Sequence, residues 1–234
     1  RIKPLMTGRD ITQEDRGLFA IDLFGLSSDD LRTRHPVIYQ WLLDRVKPER
    51  DQNARTALRE RWWIFGEARS TFRPALGGCE RAIATSLTAK HRTFIFVPAN
   101  AVCDSTTVMF ALQEGIHLGV LSSELHMKWA EAAGGTLEDR PRYIKTVCFE
   151  TFPFPDEDTG LTPQLRERIA HLAEQIDQHR KRVLGLAPAS PADPSPPTPL
   201  PQGERGVTAT PSAWTSGTTP SPLAGEGRGE GAPA

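Results

Sequence analysis

Short apolar runs, separated by charged and turn-forming residues, dominate the first 186 positions of this chain. Residues 1–24 read as short strands, and Ile21-Asp22-Leu23-Phe24 is apolar enough to predict a buried one. Ser28-Asp29-Asp30 supplies an N-cap and first-turn acids ahead of Leu31. Pro36 suits the first turn of a second helix through Val37, Ile38, Trp41, Leu42 and Val46, whose apolar spacing is about 3.6, and Pro48 closes it. Over residues 49–61, Arg50, Arg55, Arg59 and Arg61 stand against Glu49, Asp51 and Glu60. That pattern is a solvated helix or, as a second reading, a phosphate-binding face.

Ala82-Ile83-Ala84 and Thr93-Phe94-Ile95-Phe96-Val97 predict strands, the second strongly β-branched and aromatic. Residues 107–133 predict helix with a break near Gly115 or Gly119, and Leu118, Leu121, Leu125 and Trp129 recur on one buried face. Gly134-Gly135 should end that helix in a left-handed conformation. A loop over 136–140 and a strand from Tyr143 to Phe149 follow. Phe152-Pro153-Phe154-Pro155 reads as an extended strap, because its prolines cannot donate to a ladder. Thr162-Pro163 opens a last helix with a cap and a proline at its first position. Leu165, Ile169, Leu172, Ile176, His179 and Val183 form an a/d seam that needs a partner surface.

Composition changes at residue 187. Residues 187–234 hold eleven of the 20 prolines and almost no large apolar side chains, a composition that predicts a disordered tail. Within it, Pro199-Leu200-Pro201-Gln202-Gly203-Glu204-Arg205-Gly206 is echoed by Pro222-Leu223-Ala224-Gly225-Glu226-Gly227-Arg228-Gly229, as in translated repetitive DNA. The net charge is −1, so a nucleic-acid face would have to be a local patch. Cys79, Cys103 and Cys148 are widely spaced and form no CxxC pair, which favours free thiols in a reducing cytoplasm over a zinc site. No apolar run reaches the roughly 18 residues of a membrane span. The opening on Arg1 suggests a piece of something longer.

Basic, aromatic and short polar residues alternate over 61–155, a mixture suited to gripping phosphates and contacting bases. The series Trp62-Trp63-Ile64-Phe65-Gly66-Glu67, Ala82-Ile83-Ala84-Thr85, Thr88-Ala89-Lys90-His91-Arg92, Leu118-Gly119-Val120-Leu121-Ser122-Ser123, Pro141-Arg142-Tyr143 and Phe152-Pro153-Phe154-Pro155 resembles the C-terminal part of the MmeI-like (type IIL) DNA methyltransferases. These are bacterial restriction–modification enzymes. The similarity runs from about Lys3 to Leu184. It implies an α+β fold: a DNA target-recognition domain with short strands over 1–157, a C-terminal helical segment over 158–186, and the tail beyond.

The resemblance implies double-stranded DNA as partner, together with an upstream methyltransferase domain in the same or a separate chain. S-adenosylmethionine would serve the full enzyme and would not bind this chain. Glu138 and Arg140 match the place where the family carries base-reading residues at an i, i+2 spacing. Their chemistry suits that role, since arginine forks onto guanine and glutamate accepts from cytosine. Lys90, His91 and Arg92, with Arg73 and Arg81, could form a phosphate clamp or a second readout element, and Arg142 and Lys145 belong with the backbone contacts.

Methylating chemistry itself is absent from the sequence. Ser195-Pro196-Pro197-Thr198 mimics the target-base loop but lacks its aromatic residue, and the alternating Gly225, Gly227, Gly229 and Gly231 follow no strand. His117 and His126 read as structural histidines. Cys148 reads as a core thiol, and Trp62 and Trp63 as core aromatics. The competing reading of the chain is a degenerate, non-catalytic remnant or a protein-interaction module.

Overall fold

Elements follow in the order β1 (Ile2–Met6), α1 (Gly8–Thr12), β2 (Phe19–Ile21), α2 (Ser28–Arg34), α3 (Pro36–Arg45), α4 (Lys47–Asp51) and α5 (Thr56–Glu60). Then come β3 (Arg81–Ser86), β4 (Phe94–Pro98), β5 (Val102–Cys103), β6 (Thr107–Phe110), α6 (Gly115–Leu121) and α7 (Glu124–Ala133). The series closes with β7 (Gly135–Leu137), β8 (Arg140–Arg142), α8 (Lys145–Cys148) and α9 (Pro163–Val183). This is a computed structural model, and it describes residues 1–137 and 140–186. Glu138 and the proline-rich tail therefore lie outside the described residues.

The centre is an antiparallel sheet of order β4-β3-β6. Its register sets Ile83 opposite Phe96 and Phe110, and Ala84 opposite Ile95 and Met109. Alternation sends Ile83, Phe94, Phe96 and Phe110 to one face, where Leu118, Leu121, Ala130, Tyr143, Cys148 and Ala173 cover them. Ala82, Ala84, Ile95 and Val97 face the other way, onto Met6 and Ile11. Burial on both faces is why β3 and β4 read as nearly continuous apolar runs. A second sheet of order β2-β1-β5 flanks this core. A separate apolar cluster joins Leu23, Leu26, Leu31 and Leu42 to Trp62. Trp63 is half-buried and donates its indole N–H to the Leu26 carbonyl at 2.9 Å.

Several expectations are corrected. The strand expected at 21–24 ends at Ile21, because Asp22 turns inward to an ion pair. The cap of α2 is Ser27, which accepts from the Asp30 amide at 3.0 Å. Val37 and Trp41 face solvent at 82% and 56% exposure, while Leu42 is buried with Ile38, Tyr39 and Leu43 packed against its cluster. Pro48 does not close α3; it sits in the first turn of α4, where its missing N–H costs nothing.

Residues 107–110 are strand, not helix, because they complete the ladder of β3. The helical break falls at Ser122-Ser123, with Ser123 capping α7 through the His126 amide. On α7 the buried face is His126 and Ala130, and Leu125 is 71% exposed. Gly134 is extended, with φ −76° and ψ 174°, so no left-handed cap ends the helix. The span expected as a strand from Tyr143 holds the short helix α8 instead.

α9 starts as expected, with Thr162 accepting from the Leu165 amide and Pro163 in the first turn. Its expected seam, however, is mostly turned out: Leu165, Leu172, Ile176 and Val183 are exposed. The inward face is Ala170, Ala173 and Asp177, set against α6 and β4. Glycines decide this. A Cβ on Gly119 would stand 2.5 Å from the Ile169 side chain, and one on Gly115 would stand 2.8 Å from the Ala170 carbonyl. Small residues let the two helices approach closely, so packing overrides the heptad pattern.

Candidate nucleic-acid interface

Two segments meet at the Ser86 end of β3. One is the turn over residues 87–93, which leads into β4. The other is the β7–β8 hairpin, with Gly135 opposite Arg142, Thr136 opposite Pro141 and Leu137 opposite Arg140. The described residues of the expected loop, Thr136, Leu137 and Arg140, are thus strand. Two backbone hydrogen bonds join the segments: the Tyr143 amide donates to the Leu87 carbonyl at 2.8 Å, and the Ala89 amide donates to the Pro141 carbonyl at 3.3 Å. Thr88 also bridges to Arg142. Gly134 makes the tight entry possible, since a Cβ there would lie 2.6 Å from the Ala130 carbonyl and 2.7 Å from the Arg142 carbonyl.

Beneath the junction lies an aromatic platform. Tyr143 is buried against Phe94 and Phe110 in edge-to-face contacts. Its hydroxyl and His126 Nε2 are 2.9 Å apart. Burial, reinforced by the nearby Arg92 charge, pulls the His126 pKa down to about 4. His126 is therefore a neutral structural histidine, and among the described residues its Nδ1 has no hydrogen-bond partner. Burial likewise pushes the Tyr143 hydroxyl up, so it stays protonated.

The candidate cations divide into two groups. Lys90 and His91 on the turn, and Arg140 and Arg142 on β8, are exposed. Alternation along β8 puts Arg140 and Arg142 on one face and half-buried Pro141 on the other, while the Pro141 carbonyl reaches the turn. Lys90 and Arg142 line a shared crevice of about 30 Å³, roughly room for one water. Lys145 is exposed at the start of α8, 3.6 Å from Glu150.

Arg73, Arg81 and Arg92 have internal partners. Arg73 forks onto Asp22 at 2.7 and 3.1 Å and stacks over Phe24. Burial alone would raise the Asp22 pKa, but hydrogen bonds from Arg73 and Lys3 hold it down at about 2. Arg81 pairs with Glu174 of α9 and lies over the Phe96 ring, at the opposite end of β3 from the turn. Arg92 donates to the Ser86 carbonyl and, at 2.9 Å, to the Pro141 carbonyl. Partial burial lowers its pKa. The structure therefore gathers Lys90, His91, Arg92, Arg140 and Arg142 at one place and leaves Arg73 and Arg81 elsewhere. Sequence reasoning picked out Pro141 and Tyr143 within a family motif but gave neither a role in this site. Their signal was a proline between two arginines, followed by a lone tyrosine.

Other chemistry is sparse. Among the described residues no cluster of His, Cys, Asp or Glu could hold a metal ion, and no helix is long and apolar enough to cross a membrane. A cavity of about 520 Å³ lies among Leu5, Phe72, Leu76, Ala101, Cys103 and Met109. Burial pushes the Cys103 thiol up to about 11, so it is no nucleophile.

Comparisons with known proteins bear on the family and the fold. DNA methyltransferase A of Bacillus subtilis (strain 168) is 26% identical over 95 residues, which is 39% of this chain and 11% of that protein. A solved structure of the type IIL restriction–modification enzyme MmeI in complex with DNA superposes with a TM-score of 0.52 at 17% identity, over 80% of this chain and 28% of that one. The chain thus spans well under half the length of either relative. The model of the family "MmeI, target recognition domain" matches residues 2–156, two thirds of the sequence, and the chain belongs to that family.

Proposed function

We propose that this chain reads DNA sequence as the specificity part of a site-specific, adenine-type DNA methyltransferase of a restriction–modification system. The observation that carries this reading is the exposed cationic surface where the β7–β8 hairpin joins the 87–93 turn. A two-stranded ribbon fits the major groove of B-DNA. Arg140, at the hairpin's end, offers a bidentate fork to guanine. Glu138 would pair with it as an acceptor; that part rests on sequence spacing, because Glu138 lies outside the described residues. Lys90, His91, Arg142 and Lys145 are exposed, and the reading assigns them to phosphates. Methyl transfer would belong to a separate methyltransferase domain using S-adenosylmethionine, in the cytoplasm.

Enrichment of duplexes from a randomised library by the full chain tests this. One motif should emerge. Arg140→Ala should cost about 1–3 kcal/mol on that motif and relax preference at one base pair. Lys90→Ala should weaken all duplexes alike and reduce the salt slope by about one. An unchanged motif and affinity in Arg140→Ala would remove Arg140 from the reading role.

A further inference from the structure

The Arg92 side chain has the form of an inward brace. Its guanidinium donates to the Ser86 carbonyl at the end of β3, approaches Thr85 Oγ1 at 3.4 Å, and donates to the Pro141 carbonyl of β8 at 2.9 Å. It also lies 5.1 Å from the centroid of the Tyr143 ring, whose hydroxyl is tied to His126 of α7. Among the described residues its hydrogen bonds go to two carbonyls and a hydroxyl, with no carboxylate among them. Pro141 has no N–H to give the ladder, and its carbonyl accepts twice, from Ala89 and from Arg92.

We propose that Arg92 is a positioning residue that holds the 87–93 turn and the β7–β8 hairpin in one fixed register, so that Lys90, His91, Arg140 and Arg142 meet DNA as a preset surface. This rests on the DNA-reading function proposed above. The bond at Leu87, whose own amide donates to the Thr106 carbonyl beside β6, and the bond at Ala89 join the segments at two points. Arg92 adds a third, holding the Ser86 and Pro141 carbonyls with one guanidinium. A planar fork can span both carbonyls at once; a lysine ammonium on a flexible stem cannot hold the same plane. Fixing both segments beforehand removes their ordering cost on binding and keeps base readers in place. Non-specific binding is electrostatic and needs no such register. Loss of the fork should therefore reduce discrimination more than affinity.

The test compares wild-type full chain with Arg92→Lys on the enriched motif and on a scrambled duplex. Arg92→Lys should lose roughly tenfold of the preference. Its affinity for scrambled DNA and its salt slope should stay within about twofold of wild type. Equal loss on both duplexes, with the salt slope reduced by about one, would make Arg92 a phosphate ligand and overturn the proposal. Full retention of preference would overturn it too. Amide hydrogen exchange supplies a second measurement that needs no variant to fold. The Ala89 and Tyr143 amides of wild type should be protected without DNA, and free exchange at both would sink the preset register. A wild type that enriches no motif would defeat the DNA-reading function, while the exchange result would still report on the brace.

Discussion

The β4-β3-β6 sheet and the β7–β8 hairpin are both antiparallel and touch at Tyr143, but they use their residues in opposite ways. Every residue from Ala82 to Ser86 on β3 is buried, and Phe94 to Val97 on β4 are buried beside them. The described hairpin residues are exposed except for half-buried Pro141. In the sheet, each position must satisfy packing on one face or the other, so a change of side chain changes the core. In the hairpin, Arg140 and Arg142 hold no apolar cluster together. Packing is thus assigned to the sheet, and the hairpin side chains stay outside it. The exposed hairpin can vary without loosening the scaffold, provided the junction at Pro141 and Tyr143 survives.

The strongest test of that division is at the junction. Tyr143→Ala should lower unfolding free energy by about 3–5 kcal/mol, measured by denaturant titration, because a buried aromatic leaves a cavity under the hairpin. A loss below about 1 kcal/mol would mean that the platform does not carry the core.

Next in size is a pH effect from the same platform. The folded-state pKa of His126 lies below its ordinary value, about 4 against 6.5, because burial disfavours its charge. The stability it permits is complete above pH 6.5 and is lost as pH falls from 6.5 toward 4, when the unfolded chain takes the proton first. The loss should be on the order of 3 kcal/mol. His126→Gln, neutral throughout, should flatten that part of the stability curve. An unchanged slope would show that some other group titrates there.

The smallest effect belongs to the exposed side. Lys90→Ala and Arg142→Ala should each alter unfolding free energy by less than about 0.5 kcal/mol, in the same titration that detects Tyr143→Ala. A loss of 2 kcal/mol or more at either position would erase the contrast between the buried scaffold and the exposed cationic side.

Local chemistry explains what could be read along the chain. The caps of α9, the apolar runs of β3 and β4, and Pro36 at the start of α3 depend on neighbouring residues, so spacing and residue type announced them. The family motifs likewise located the cationic stretch at 88–92 and the Arg142-Tyr143 pair. Residues 107–110 misled because a strand needs its partner, and β3 lies more than twenty positions upstream. The turned-out seam of α9 misled because its packing is decided by Gly115 and Gly119 on another helix.

The cations divide along the same line. Residue types alone determined that arginine and lysine would be available for phosphates and guanine. Only the tertiary structure decided which of them face outward. Arg73 met Asp22, Arg81 met Glu174, and Arg92 met the Pro141 carbonyl, at sequence separations of 51, 93 and 49 residues. An ion pair or a carbonyl fork depends on distances of a few ångströms, and sequence spacing carries no such information once the chain folds back on itself.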